Sequence, residues 1–128
     1  MLKKIVATDE APAAIGPYSQ AVQVGDFIFI SGQIPLLSQS GGDIPEGVED
    51  QTRQVLKNIS AILKAAGCDL EHVVKTTVYM KDLTMFNDMN DVYSGFFPEN
   101  PPARATVEVS CLPKDVLVEI EAVAFFKR

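Results

Sequence analysis

Residues 103–126, ARATVEVSCLPKDVLVEIEAVAFF, hold two runs of alternating apolar and polar residues joined by LPKD. A period of two is the mark of a strand with distinct faces, so the pattern predicts strands over Ala103–Cys111 and Asp115–Phe126. In the first run Ala105, Val107, Val109 and Cys111 share one side, while Arg104, Thr106, Glu108 and Ser110 share the other. The apolar side is expected to face the core and to take Cys111 with it. In the second run Val118, Ile120, Ala122 and Ala124 lie on one side. Leu117, Glu119, Glu121, Val123 and Phe125 lie opposite, mixing carboxylates with large apolar groups. Water alone would not favour such a face, but an oligomer interface with polar groups gathered in a cleft accounts for both kinds of residue.

Working outward, AVQVGDFIFISG (residues 21–32) reads as a hairpin around Gly25-Asp26, a pair suited to a tight turn with positive φ. QIPLLSQSGGDIPEGVED is rich in Gly, Pro and Ser and is expected to be a surface loop. From Val48 to Ala66 the period changes: Val48, Val55, Ile59, Ile62 and Leu63 fall on one helical face, with Gly67 as a stop. HVVKTTVYMK is a strand of β-branched and aromatic residues. DLTMFNDMNDVYSGFF returns to helical spacing through Phe86, Met89, Tyr93 and Phe96, with Asp82 or Thr84 as cap. The order is strands, helix, strand, helix, strands: an α+β fold whose two helices cover only one face of the sheet.

At 128 residues and 47% apolar, the chain is expected to form one packed domain over residues 1–128. A net charge of −6 speaks against nucleic acid or an anionic membrane as partner. No segment approaches the length of a membrane span, and the amino-terminal residues lack a signal-peptide apolar stretch. Cys68 and Cys111 are too far apart in the chain for a metal motif, which leaves two reduced thiols. These features predict a cytoplasmic protein, with an organelle matrix as the alternative.

Few residues have the right chemistry for a site. Arg104 presents a planar fork that matches a carboxylate or phosphate; the competing reading is an ion pair with Glu108 or a final-strand glutamate. Glu119 and Glu121, two apart on one strand, point the same way and can split their pKa values for acid–base work; the competing reading is solvated glutamates or lysine partners. His72 is the only histidine and has no evident Ser or Cys partner, which argues against a triad or a histidine-rich metal site. Asn58-Ile59-Ser60 matches a glycosylation acceptor but falls mid-helix.

Four stretches together carry a resemblance: APAAIGPYSQAV (11–22), FISGQIP (29–35), PPARATVEVSCLPKD (101–115) and VEIEAVA (118–124). The chain resembles the reactive-intermediate deaminase (Rid) family, of the 2-iminobutanoate/2-iminopropanoate deaminase type, along nearly its whole length. The resemblance implies a fold like the trimeric chorismate mutases, a mixed sheet backed by two helices, assembled as a homotrimer with clefts between neighbours. It implies hydrolysis of reactive 2-imino acids, formed from enamines such as 2-aminoacrylate, to 2-keto acids and ammonia, which protects pyridoxal-phosphate enzymes. No cofactor or metal is implied. Arg104 would clamp the substrate carboxylate. Glu119 would position water and handle protons, for which a near-normal pKa suffices. Tyr18 and Asn90 would line the cleft, and Gly32 would allow close approach of the backbone. Thr106 stands where many members have cysteine, and is expected to tune the pocket; Glu121 is left with a structural role. Two further readings stay open: a protein that binds or senses 2-keto acids without turnover, and an endoribonuclease or translation inhibitor.

Overall fold

A computed structural model describes residues 2–37 and 42–127. Its strands are β1 (Lys3–Val6), β2 (Ala21–Val24), β3 (Phe27–Gln33), β4 (Val73–Met80), β5 (Ala103–Glu108) and β6 (Val118–Phe125). The helices are α1 (Val48–Ala65) and α2 (Phe86–Phe96). Among the described residues the strands form one sheet in the order β1-β2-β3-β6-β4-β5. Only β4 and β5 run parallel, because α2 carries the chain back between them. The fold is α+β with a mixed sheet, as expected.

Local sequence explains the elements. Gly25 takes φ 58° in the β2–β3 turn, a conformation that costs a residue without Cβ little. The apolar stripe of α1 puts Val55, Leu56, Ile59, Ile62 and Leu63 almost wholly out of solvent, each worth roughly 1.5–3 kcal/mol of burial. The helix closes as predicted: Gly67 adopts φ 89°, and the Cys68 N–H reaches the Leu63 carbonyl at 3.0 Å. Asp82 is the cap that is used. It accepts from the Thr84 amide (2.9 Å) and hydroxyl (2.7 Å) at a 3-10 turn leading into α2.

The strand pairs place the two faces. Ile28, Ile30, Thr76, Val78, Met80, Val118, Ile120, Ala122 and Ala124 are buried beneath the helices. The opposite, open face carries Phe27, Phe29, Val107 and Phe125, which are 45%, 49%, 41% and 39% exposed. Glu119, Glu121 and Val123 share that face with Thr77 and Tyr79.

Four expectations need correction. β5 ends at Glu108, and Cys111 is exposed rather than core. Arg104 pairs with buried Thr76, so the polar side of β5 faces the helices and the apolar side joins the open face. β6 starts at Val118, because Pro113–Asp115 forms a 3-10 turn with Lys114 and Asp115 at φ 54° and 56°. Leu117 then packs partly buried against the core. The predicted surface loop dives inward at its start: Leu36 is buried, and buried Asn58 donates to the Leu36 (3.0 Å) and Ile34 (3.3 Å) carbonyls. Residues 38–41 of that loop lie outside the described residues.

Candidate active site

Arg104 is held by α2. Its Nη1 donates to Asn90 Oδ1 at 2.8 Å, and its guanidinium lies over the Tyr93 ring at 4.7 Å and the Phe86 ring at 5.5 Å. Ring faces attract a cation and fix its plane without neutralising its charge. Among the described residues no carboxylate lies within salt-bridge distance of Arg104. Glu108, the partner considered from sequence, instead accepts from the Leu83 amide at 2.9 Å. The Tyr93 hydroxyl is anchored in turn by Thr76 Oγ1 at 2.7 Å. Burial raises the Tyr93 pKa, opposed by the Thr76 hydrogen bond and the Arg104 charge. A hollow of about 390 Å3 opens beside the guanidinium, bordered by Asn90, Tyr93, Phe97, Pro101 and Arg104.

Thr106 lies two residues along the same side of β5. Its Oγ1 is buried without a hydrogen-bond partner, an unusual state for a hydroxyl. Arg104, Asn90 and Thr106 thus form one group at the sheet edge beneath α2.

Glu119 belongs to a second group. In the strand register Arg104 aligns with Thr76, and Thr76 with Ala122. Glu119 lies three residues from Ala122, an odd offset, so it faces the other way. Two strand spacings and three residues of rise separate Arg104 and Glu119 by about 14 Å of backbone. The Glu119 carboxylate lies over Gly32, where β3 shifts register between Ile30 and Gln33. A methyl group at Gly32 would overlap Glu119 Oε2, so glycine is what admits the carboxylate. Tyr18 is tied to the same place: Ser31 Oγ donates to the Ser19 carbonyl at 2.6 Å. Tyr18 is about half exposed, and its hydroxyl accepts from the Ile15 amide at 3.2 Å. Buried Gln20 braces the preceding loop, donating to the Pro12 carbonyl at 2.8 Å and accepting from the Thr8 amide at 2.7 Å.

The carboxyl of Glu119 is held above the ordinary glutamate range, first by burial and then by the charge of Glu121. This differs from the near-normal value anticipated and suits a group that must both take and return a proton. The structure therefore divides the six expected residues into Arg104, Asn90 and Thr106 on the helix side and Tyr18, Gly32 and Glu119 around the open-face register shift. Sequence reasoning placed Phe86 and Tyr93 only on a helical face and did not see them under the guanidinium. Ser31 and Gln20 went unnoticed, their signal being no more than polar residues beside strands. His72 acts locally, meeting Asp69 at 3.1 Å and stacking edge-on against Phe126 at 4.5 Å. Among the described residues no three His, Cys, Asp or Glu side chains converge as a metal site, and no helix is long and apolar enough to cross a membrane.

Comparison with known proteins shows the family to which the chain belongs. The family described as endoribonuclease L-PSP matches residues 8–126. The chain is 55% identical over 124 residues to a RutC family protein of Pyrococcus horikoshii, covering 97% of this chain and 98% of that one. It is 51% identical over 124 residues to the 2-iminobutanoate/2-iminopropanoate deaminase of Mus musculus, covering 97% and 92%. The crystal structure of E. coli TdcF with bound serine superposes with a TM-score of 0.92 at 47% identity, covering 95% and 98%. Such agreement along nearly the full length shows that this chain belongs to the endoribonuclease L-PSP family, the one that includes the reactive-intermediate deaminases.

Proposed function

We propose that this protein hydrolyses 2-imino acids to 2-keto acids and ammonia, in clefts shared between copies of the chain. The observation that carries the reading is Arg104: a guanidinium fixed by Asn90 and backed by two rings, with no carboxylate among the described residues in salt-bridge reach. A substrate carboxylate fits that fork bidentately. The names of relatives at about half identity support the same chemistry.

The reaction asks for orientation and proton handling. With the carboxylate held on Arg104, the adjacent C=N carbon is fixed for attack. The Glu119 carboxylate takes a proton from water as the water oxygen bonds to that carbon, and the C=N π pair becomes the lone pair of nitrogen. Returning the proton to nitrogen makes it a leaving group; Glu119 then takes the hydroxyl proton as the C=O bond forms and the C–N bond breaks, leaving the keto acid and ammonia. The protonated imine is the electrophile in the addition step. Within one chain Arg104 and Glu119 face apart, so a cleft using both takes Glu119 from a neighbour. Joining open faces in a homotrimer would cover Phe27, Phe29, Val107 and Phe125 and supply that neighbour.

Generating an imine in situ with an amino-acid oxidase and following keto-acid release tests the proposal. Acceleration by the protein is expected. An unchanged rate beside calorimetric binding of 2-ketobutyrate would favour the sensing reading instead. Cleavage of RNA by metal-free protein would favour the nuclease that the family description names, although a charge of −6 offers phosphates little attraction.

A further inference from the structure

Glu121 has no part in that mechanism, yet it stands beside its base. Glu119 and Glu121 are two apart on β6 and leave the open face together. On β4 the partner of Glu119 is Tyr79, and the partner of Glu121 is Thr77. The Tyr79 proton is held more tightly than in a free phenol, by burial first and then by the charge of Glu121. Tyr79 therefore fills the β4 side of the face, while Glu119 leans the other way, over Gly32 of β3.

We propose that Glu121, two residues along the same face of β6, is a positioning residue for Glu119: its charge keeps that carboxylate against Gly32, where the reaction needs it. The inference rests on the deaminase reading for its purpose, but not for its geometry. Like charges two apart on a strand repel, and Glu119 lowers that repulsion by leaning away or by binding a proton. Both effects serve a base. Among the described residues, β4 contributes Tyr79, Thr77 and Lys75 to this part of the face and β3 contributes Phe29, Ser31 and Gly32; of these Tyr79 and Lys75 carry titratable groups. Lys75 borders the same open-face hollow as Glu121, a space of about 260 Å3, and offsets part of its charge.

The test is a carbon-13 NMR titration of the Glu119 carboxyl in the assembled protein, beside the pH profile of kcat/KM for imine hydrolysis. In Glu121→Gln the Glu119 midpoint should fall by at least about 0.4 pH unit, the water-screened limit for charges about 7 Å apart. It should remain above the ordinary value, because burial persists. The acid limb of kcat/KM should move down with it, and Glu121→Asp, which keeps the charge, should restore both. Should the glutamine variant fail to fold, Glu121→Thr, a good strand former, gives the same reading. A folded variant with an unmoved Glu119 midpoint overturns the proposal, whatever its activity. A midpoint that moves in a protein without turnover sinks the deaminase reading and leaves the coupling of the two carboxylates standing.

Discussion

Arg104 separates charge from geometry at the scale of one residue. Arg104→Lys keeps the charge but loses the fork and its stacking on Tyr93 and Phe86. Imine hydrolysis should fall about a hundredfold or more in this variant and in Arg104→Ala, as expected when a reacting group loses its orientation. Steady-state kinetics on folded protein would show it, and near-wild-type turnover in either would refute the clamp. Glu119 makes a second prediction. Its folded pKa is raised, so ionising it costs stability. The cost is full above the folded pKa and gone below the ordinary glutamate value. Glu119→Gln should therefore melt higher than wild type at neutral pH, with the advantage fading as pH drops through that window, while losing activity at every pH. Thermal melts across pH check the sign. The chemical type of these residues was readable, since only an arginine offers the fork and only the same-strand glutamates could couple. Their surroundings were not: nothing in the alternation of residues 103–108 says that rings from α2 lie under Arg104, or that Thr106 Oγ1 would be buried alone.

Elements were legible where periodicity is long and ends are marked. Helix α1, with its stripe and Gly67, was expected over 48–66 and runs from Val48 to Ala65. Strand β1 was missed, because Lys3–Val6 is short and begins with two lysines. The faces of β5 were assigned the wrong way round for a physical reason. At the sheet edge the helix side is partly open, so it tolerates Arg104, while Ala105 and Val107 sit on a face that a single chain leaves uncovered. Alternation reveals that two faces differ, not which is inside. The mid-helix Asn58, dismissed as a modification site, turns out to pin the start of the 34–47 connection to α1. Asn58→Ala strands two carbonyls and should cost roughly 1–3 kcal/mol, measurable by urea unfolding. An unchanged midpoint would mean that water replaces the amide.

For the whole molecule, the count of two helices already implied an uncovered sheet face, and the mixed residues of β6 pointed to its use. Which residues would meet across it depends on chains outside the one described. Phe29→Asp places a charge on the open face without touching Arg104 or Glu119, and its neighbour Val123 is only partly buried. The variant should sediment as a smaller species than wild type and lose imine hydrolysis in step. Retained activity in a monomer would refute a shared cleft.

Because the guanidinium and the carboxylate point away from each other on one chain, two separately dead proteins should rescue one another. In oligomers reassembled from equal amounts of Arg104→Ala and Glu119→Gln chains, chance pairing reunites an intact arginine with an intact glutamate in about a quarter of the clefts. Neither parent alone can do so.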